Sequence, residues 1–339
     1  MPWPAPWTAL FGRDAPLSLE IGFGNGEFLL ALATSRPEMN VVGIEISLPS
    51  LRKAIGKASR RGLGNVRVVR GDAQGALWAL FVSASVQRVY LNFPDPWPKA
   101  SHAERRLVHD RFLHLLATRL APGATVDIAT DHPAYAETIQ ECLVNSLFFE
   151  SRLDVPYVTE DRERLRTKYE QIALAEGRTC RYFKWRRTGR PAANLFPIPQ
   201  EMPMPHVVMS GPLSLEQIAA QFASTTYSEE GGAVRFIDLF VSTEKRMLLL
   251  DTHIEEEPVS QRLALLIRAR GDGAGRRDND DGGDSGREEE RLELILSLHD
   301  LGFPRPTAGV HRALNYLAQW LEQLHPEMRV ERSTLKVGA

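Results

Sequence analysis

The chain contains few of the residues that build disulfide frameworks or metal centres. Its 339 residues include two cysteines, Cys142 and Cys180, which have neither metal-ligand spacing nor a nearby histidine. Two cysteines in a chain of this length indicate a reducing compartment rather than a disulfide-stabilised protein. We therefore expect no bound metal and assign the cysteines no catalytic role.

Long apolar runs and an excess of charge are also absent. No stretch approaches the roughly 20 apolar residues of a membrane-spanning helix. Residues 1–12 lack the basic region and the uninterrupted apolar core of a signal peptide. The net charge is −2, so any nucleic-acid surface must be a local patch. These absences predict a cytoplasmic protein with no membrane partner.

The first half of the chain alternates short β-rich runs with longer helical patterns. The strand-like runs are residues 17–22, 41–45, 66–69, 88–93 and 125–130. The helix-like segments lie near residues 26–34, 48–61, 74–82, 104–120 and 133–145. This alternation predicts an α/β fold with a doubly wound, mostly parallel, Rossmann-like sheet. Ligands of such sheets bind outside the carboxyl ends of the strands.

The second half of the chain has a different character. After a first domain, residues 1–190, the proline-rich residues 191–206 are typical of a linker. Residues 207–339 predict a smaller α+β domain, in which the Gly- and Asp-rich residues 271–290 have the composition of a disordered loop. The apolar stripe of residues 308–324 is expected to pack on the sheet of its own domain. The sequence is compatible with two roles for this domain, an added RNA-binding surface and a dimerisation or partner module. It is also compatible with a monomeric and with a homodimeric protein.

A glycine-rich turn follows the first predicted strand. Residues 19–28, LEIGFGNGEF, contain Gly22, Gly24 and Gly26 between a strand end and a helix start. A nicotinamide dinucleotide fingerprint requires a glycine where this chain has Glu27, whose charge would face a pyrophosphate. S-adenosylmethionine has no phosphate and carries a sulfonium cation, so acidic residues nearby favour it.

Acidic residues lie at or just after the carboxyl ends of several successive predicted strands. Glu20 precedes the glycines and can face the cationic methionine end of such a cofactor. Glu45 ends the second strand and suits two ribose hydroxyls, and Asp72 follows the third strand and suits the adenine amino group. Each acid alone is more often a helix cap or a surface charge. Together with Asp95 after the fourth strand, they predict a nucleoside-type cofactor.

The loop after the fourth strand combines three prolines with one carboxylate. Residues 90–99 are YLNFPDPWPK. Many amine-modifying methyltransferases of this fold have Asn-Pro-Pro-aromatic here, whereas in this chain Asn92 is followed by a sequence that adds Asp95. A carboxylate can accept the N–H groups of a guanine edge and offset the positive charge that develops when N7 is methylated. Because N7 has a free lone pair, catalysis would depend on positioning and electrostatics without a general base. Trp97 either stacks on a base or packs within the loop.

Basic residues are concentrated after this loop. The first cluster contains Lys99, His102, Arg105, Arg106 and Arg111, and further clusters lie in residues 161–170 and 181–187. Arg105 and Arg106 are expected in the first turns of the helix near residues 104–120. Basic side chains gathered at one site suit a phosphate backbone, and solvated helix faces are the alternative.

Several motifs together match a known family in order and approximate spacing. They are LEIGFGNGEF, GIE, GDA, FPDPWPK, HAERR, ATD and TKYE. From about Trp7 to Arg187 the chain resembles bacterial tRNA (guanine-N7-)-methyltransferases, which are class I enzymes that use S-adenosylmethionine. The resemblance implies that Asp95 is the catalytic residue, and it implies three sets of contacts. These are cofactor contacts by Glu20, Glu45, Asp72 and Asp95; target guanosine contacts by Lys99, Asp131, Thr167, Lys168, Tyr169 and Glu170; and RNA contacts by Ser101, His102, Arg105 and Arg106.

The implied activity is methylation of N7 of a guanine in the variable loop of tRNA. A methyltransferase of the same fold acting on another RNA or on a protein side chain, and a non-catalytic RNA-binding relative, are the alternatives. The sequence departs from the family in two respects. Only about 16 residues precede the first strand, which puts the details of substrate capture in question, and the resemblance does not cover the region beyond residue 190.

Overall fold

A computed structural model of the chain describes residues 3–195, 204–229, 232–242, 246–270, 291–299 and 305–336. The chain divides into two compact units, Met1–Ile198 and Pro199–Ala339. Part of the predicted linker, residues 196–203, lies outside the described residues, and so does the whole of the predicted disordered loop, residues 271–290. Within the described ranges no helix is both long and apolar enough to cross a bilayer.

The first unit is a seven-stranded sheet with helices on both faces. Its strands are β1 (Leu17–Ile21), β2 (Asn40–Glu45), β3 (Val66–Arg70), β4 (Val86–Asn92), β5 (Leu120–Thr130), β6 (Phe149–Ser151) and β7 (Arg181–Arg187). Its helices are α1 (Trp7–Phe11), α2 (Glu27–Ser35), α3 (Leu48–Arg60), α4 (Ala73–Leu80), α5 (Asp110–Arg119), α6 (Pro133–Asn145) and α7 (Lys168–Ala175). The strand order is β3-β2-β1-β4-β5-β7-β6, in which β1 to β5 are parallel and β7 is antiparallel to both of its neighbours.

The strands β1 and β2 are mostly apolar because both of their faces are covered. All five residues of β1 are buried, as are the first five residues of β2. Continuous burial of this kind is typical of parallel sheets between helix layers. The predicted doubly wound α/β fold is therefore confirmed, and the five predicted strands are present.

The strand order brings two loops together at the carboxyl edge of the sheet. β1 lies between β2 and β4. The chain therefore adds β2 and β3 on one side of β1 and then adds β4 and β5 on the other side. Ile21 at the end of β1 is paired with Leu91 near the end of β4. Such a reversal of strand order opens a crevice in which doubly wound proteins bind ligands. The glycine turn lines this crevice together with Asn92 and Phe93 at the start of the proline-rich loop.

One predicted helix begins later than expected. Residues Ala100–Arg105 form a short 3-10 helix, and α5 begins only at Asp110. The backbone turns extended at Arg106, and the ring Nδ1 of His109 caps α5 by accepting the N–H of Phe112 at 3.3 Å. The prediction of one helix over residues 104–120, with Arg105 and Arg106 in its first turns, was therefore wrong.

The second unit is a seven-stranded sheet packed against helices. Its strands are β8 (His206–Gly211), β9 (Thr225–Glu229), β10 (Gly232–Ser242), β11 (Met247–Glu256), β12 (Val259–Ala269), β13 (Leu292–Leu298) and β14 (Arg329–Ser333), in the order β14-β8-β13-β12-β11-β10-β9, with every pair antiparallel. Its helices are α8 (Leu215–Ala220) and α9 (Ala308–Leu324). The apolar stripe of α9 includes Leu314 and Leu317, which share a core with Leu250 of β11 and Leu265 of β12. The predicted α+β domain and the packing of this helix on its own sheet are both confirmed.

Candidate active site

The glycine turn after β1 has a backbone that other residues adopt only under strain. Gly22, Gly24 and Gly26 have φ values of 73°, 52° and 77°, in the left-handed region. Gly26 also lies against α3, where an added Cβ would stand 2.8 Å from the Cβ of Ala54. The turn therefore places backbone without side chains at the mouth of the crevice. Helix α2 begins directly after it, at Glu27.

Glu27, which occupies the third glycine position of a dinucleotide fingerprint, is bound to α3. Its carboxylate pairs with Lys57 at 2.5 Å and with Arg61 at 3.1 Å. The hydrogen bond from Lys57 is the main cause of a lowered pKa of Glu27. A carboxylate at this position disfavours a pyrophosphate group at the start of α2.

Glu45 and Asp72 hold the backbone at the ends of β2 and β3. The two carboxylate oxygens of Glu45 accept the N–H groups of Gly24 and Ser47, each at 2.9 Å. Asp72 caps α4 by accepting the N–H of Gly75 at 2.7 Å. Each carboxylate oxygen has a second lone pair, so both residues can accept further donors from a ligand. Their predicted contacts with ribose and adenine stay predictions.

Glu20 is a buried acid with one free oxygen. Only 1% of the residue is exposed, and its Oε1 accepts from Nδ2 of Asn92 at 2.9 Å. Its Oε2 is buried and has no hydrogen-bond partner among the described residues. Burial raises the pKa of Glu20 to about 8, against the opposing effects of the Asn92 hydrogen bond and the charge of Arg164. A group in this state favours a cationic ligand that supplies the missing partner.

A cleft of about 350 Å³ lies beside Glu20. Its lining comes from the glycine turn, the end of β4 and α7, and includes Glu20, Gly22, Gly24, Asn92, Thr167, Lys168 and Tyr169. The structure thus brings residues predicted to bind the cofactor and residues predicted to bind the target into one place. That neighbourhood depends on α7, which is distant in sequence from the glycine turn.

The proline-rich loop presents Asp95 to solvent from a strained backbone. Phe93 and Trp97 flank the aspartate, and both have positive φ values, 53° and 43°. Bulky residues rarely adopt this region, at a cost of order 1–3 kcal/mol each. The Trp97 ring packs edge-on to His102 at 5.9 Å and lies beneath the guanidinium of Arg105 at 5.1 Å. Trp97 thus packs on the short 3-10 helix that follows the loop. Stacking of its ring on a base is untested.

The resemblance seen in the sequence implies methyl transfer at Asp95, and on that basis we expect Trp97→Gly to lower its rate about tenfold or more with little loss of stability. Glycine removes the backbone strain but also the ring contacts, so the free energy of unfolding changes by less than about 1 kcal/mol. The rate falls because Asp95 is then held less firmly. Single-turnover rates and thermal melting measure the two effects. Trp97→Phe, which keeps a ring and the strain, is the matched control, and a Trp97→Gly variant with the wild-type rate would contradict the role of the loop.

The basic residues after the loop differ in their surroundings. Ser101 and Arg105 are exposed, as is Lys99. Arg106 instead braces the loop, since its guanidinium donates to the carbonyl of Pro96 at 2.9 Å and to Thr138 at 2.8 Å. The predicted RNA contacts of this segment stay predictions, and the structure adds a structural role for Arg106.

The TKYE motif forms the beginning of α7. Thr167 accepts the N–H of Glu170 at 3.0 Å, and the Glu170 carboxylate accepts the N–H of Thr167, which is a capping box. Glu170 is fully buried and also accepts the hydroxyl of Tyr182 at 2.9 Å. Lys168 and Tyr169 are exposed. The predicted target contacts of all four residues are untested, and the structure gives Thr167 and Glu170 a supporting role as well.

Asp131 lies in a second recess, of about 460 Å³, that also includes Tyr169. The Asp131 carboxylate accepts hydrogen bonds from Arg178 and, at 3.5 Å, from the Tyr169 hydroxyl. The Arg178 guanidinium also stands 5.1 Å from the centre of the Tyr169 ring. Tyr169 therefore lines both recesses. Arg178 was not singled out from the sequence, where only its place shortly after TKYE marks it.

Two of the predicted basic clusters are partly internal. Arg164 has a side chain that is 6% exposed and pairs with Glu170 at 3.1 Å. Arg187 is buried and donates to the carbonyl of Ala117, and Lys184 pairs with Asp161 at 2.8 Å. The prediction that residues 161–170 and 181–187 present these cations to a phosphate backbone was wrong for Arg164 and Arg187. The Lys184 side chain is 27% exposed, and its predicted contact is untested.

The sheet order, the glycine turn and the acids at the strand ends are those of a class I methyltransferase. A family model described as a putative methyltransferase matches residues 14–182. The chain is 38% identical to a tRNA (guanine-N(7)-)-methyltransferase of Thermus thermophilus over 279 residues, which cover 80% of this chain and 85% of the relative. It is 41% identical to the enzyme of the same name from Thermotoga maritima over 176 residues, covering 52% and 55% of the two chains. The chain belongs to the tRNA (guanine-N7-)-methyltransferase family, whose methyl donor is S-adenosylmethionine.

The match to the Thermus relative is longer than the first unit, which has 198 residues, so it extends into the second unit. The resemblance seen in the sequence had covered only the first part of the chain. Among solved structures, the 16S rRNA methyltransferase KamB aligns with 56% of this chain and 100% of its own, at 15% identity and a TM-score of 0.40.

Proposed function

We propose that the protein transfers a methyl group from S-adenosylmethionine to N7 of a guanine in the variable loop of tRNA. The orientation of the Asn92 amide carries this proposal beyond family membership. Its oxygen accepts from Arg164 and its nitrogen donates to Glu20. The amide oxygen is thus engaged within the protein and is not presented to an exocyclic amine of a substrate. A ring nitrogen with a free lone pair needs no such acceptor.

The site residues fit the proposed cofactor. When bound, S-adenosylmethionine supplies an electrophilic methyl group, so the N7 lone pair forms the new N–C bond while the C–S bonding pair goes to sulfur. The free oxygen of Glu20 provides a partner for the cationic methionine end. Glu45 and Asp72 lie further along the same edge, at the ends of β2 and β3. Described residues contain no group of three or more His, Cys, Asp or Glu side chains arranged to hold a metal.

Asp95 supplies the negative charge that the reaction requires. No proton leaves N7, and the positive charge of the sulfonium moves to the guanine ring. A carboxylate on a rigid loop stabilises that ring charge without rearrangement during the reaction. Asp131, Lys99 and the start of α7 hold the target guanosine in this proposal, and Ser101, His102, Arg105 and Arg106 meet the RNA. All of these residues belong to the first unit, to which we assign catalysis, and the tRNA substrate implies a cytoplasmic location.

The proposal is tested by incubating the protein with labelled S-adenosylmethionine and unmodified tRNA transcripts. We expect label in tRNA and strand cleavage at one variable-loop guanosine after treatment specific for N7-methylguanosine. Transcripts made with 7-deazaguanosine, which has carbon in place of N7, are the matched control and should remain unlabelled. Label in protein, label at another base, or label in the 7-deaza transcripts would overturn the proposal in favour of another acceptor. Absence of any transfer, with intact cofactor binding, would indicate a non-catalytic RNA-binding relative.

A further inference from the structure

A continuous chain of buried and half-buried polar groups joins α7 to the cofactor cleft. Glu170 at the start of α7 pairs with Nε of Arg164, and another nitrogen of the same guanidinium donates to the Asn92 amide oxygen. The Asn92 amide nitrogen then donates to Glu20 at 2.9 Å. Glu170 is fully buried, and the side chain of Arg164 is 6% exposed. Solvent therefore competes little for these bonds.

The direction of every bond in this chain is determined by Arg164. A guanidinium only donates hydrogen bonds, so the Asn92 atom that faces it must be the oxygen. The amide nitrogen must then face Glu20, which occupies Oε1. Oε2 is buried and has no partner among the described residues, in a side chain that borders the cleft. Without Arg164, the Asn92 amide could turn over and present its oxygen to Glu20. When a bound cation ionises Glu20, a lone pair facing its carboxylate is repulsive, so Glu20 would lose its orientation.

Aromatic rings hold the guanidinium itself in place. The Arg164 guanidinium carbon lies 5.5 Å from the centre of the Phe28 ring and 5.4 Å from that of Tyr182. Such contacts stabilise a planar cation and restrict its rotation. Phe28 also lines the cofactor cleft. The arginine is therefore a fixed element between the cleft and α7.

We propose that Arg164 is a positioning residue that directs the free oxygen of Glu20 towards the methionine end of the cofactor, through Asn92, and holds the start of α7 beside it, through Glu170. This inference rests on the proposed function for the identity of the cofactor. It assigns to Arg164 a role distinct from contact with RNA. It also explains why a cation in the basic segment before TKYE is buried.

The test compares the affinities of two ligands in Arg164→Gln and Asn92→Leu. S-adenosylmethionine has the methionine end, whereas 5′-methylthioadenosine shares the nucleoside but lacks the amino acid and the sulfonium. We expect the dissociation constant for S-adenosylmethionine to rise about tenfold or more in each variant, as for a lost hydrogen bond between buried groups. The constant for 5′-methylthioadenosine should change less than about twofold. In the double variant, the affinity for S-adenosylmethionine should fall by less than the product of the two single-variant factors. The reason is that both substitutions break the same chain of hydrogen bonds.

Three controls separate positioning from general damage. Arg164→Lys keeps the charge but cannot reach both partners as the fork does, and an intermediate loss is expected. Arg13→Gln removes a comparable arginine, which bonds to Asn40, Pro37 and Met39 at the other edge of the sheet, and should leave both affinities unchanged. If Arg164→Gln does not fold, the affinities of Asn92→Leu for the two ligands test the proposal, because this variant keeps the Arg164–Glu170 pair.

Equal losses for the two ligands would overturn the proposal in favour of a purely structural role, and unchanged affinities would overturn it outright. These measurements use no RNA. Failure of the wild-type protein to methylate tRNA would therefore count against the proposed function alone. The comparison of the two ligands would still test the positioning role of Arg164.

Discussion

Asp95→Ala is expected to lower the rate of methyl transfer at least about a hundredfold while changing tRNA affinity less than about threefold. Asp95 is exposed between two residues with positive φ, on a loop whose three prolines restrict its backbone. Removing one preorganised charge or donor from a reaction centre typically slows catalysis by about 10²–10³. Binding of tRNA changes little because phosphate contacts made elsewhere dominate its affinity.

Single-turnover methylation with saturating tRNA, together with filter binding of the same tRNA, measures the two quantities. Asp95→Asn keeps the size of the side chain and one acceptor oxygen, so its rate should fall less than that of Asp95→Ala. Asp14→Ala is the matched control, because Asp14 is also exposed but precedes β1, at the opposite edge of the sheet. Near-normal turnover of Asp95→Ala would show that the electrostatic role proposed for this carboxylate is wrong.

Glu20→Gln is expected to stabilise the ligand-free protein at alkaline pH while weakening cofactor binding. The folded protein raises the pKa of Glu20 to about 8 from an ordinary value of 4.5, mainly by burial. Between these pH values the unfolded chain releases a proton that the folded protein retains. Stability of the wild type therefore falls as pH rises from about 4.5 to about 8, and glutamine, which does not titrate, avoids this loss. Above pH 8 the difference should reach a few kcal/mol, in order of magnitude.

Urea unfolding of both proteins at pH 5 and pH 8.5 measures this difference. Tryptophan fluorescence is a suitable signal because five of the six tryptophans lie in the first unit; they are Trp3, Trp7, Trp78, Trp97 and Trp185. We expect equal stabilities at pH 5 and a more stable Glu20→Gln at pH 8.5. Parallel pH dependences of the two proteins would mean that Glu20 does not titrate in this range.

The same change should weaken binding of S-adenosylmethionine about tenfold or more. A cation favours the ionised carboxylate, so binding to the wild type below pH 8 should release a proton from Glu20. Affinity should then rise with pH towards about 8 in the wild type and stay nearly level in Glu20→Gln. Calorimetry in buffers of different ionisation enthalpy counts the released protons. A Glu20→Gln variant that releases as many protons as the wild type would place the titrating group elsewhere.

The main features of the first unit could be predicted because they arise from local patterns. Buried parallel strands are continuous apolar runs, so β1 and β2 are visible without any knowledge of their partners. The carboxyl ends of such strands meet at one edge, which is why the sequence placed Glu20, Glu45 and Asp72 at the same edge of the sheet. Their contacts with one ligand stay a prediction. The start of α5 was mispredicted because its cap is His109, a less common capping residue, and because Arg106 is drawn to the loop before it.

The sequence by itself determined the class of fold, the glycine turn, the acids at the strand ends and the stiff loop around Asp95, since each follows from backbone sterics or from residues close together in the chain. Only the tertiary structure decided that Arg164 is internal, that the Asn92 amide has one orientation, and that Glu20 keeps a free oxygen. Those properties depend on groups 72 positions apart in the chain, both from Asn92 to Arg164 and from Glu20 to Asn92. A basic residue in a hydrophilic segment has the same local pattern whether it meets solvent or a buried carboxylate, and only the folded chain distinguishes the two.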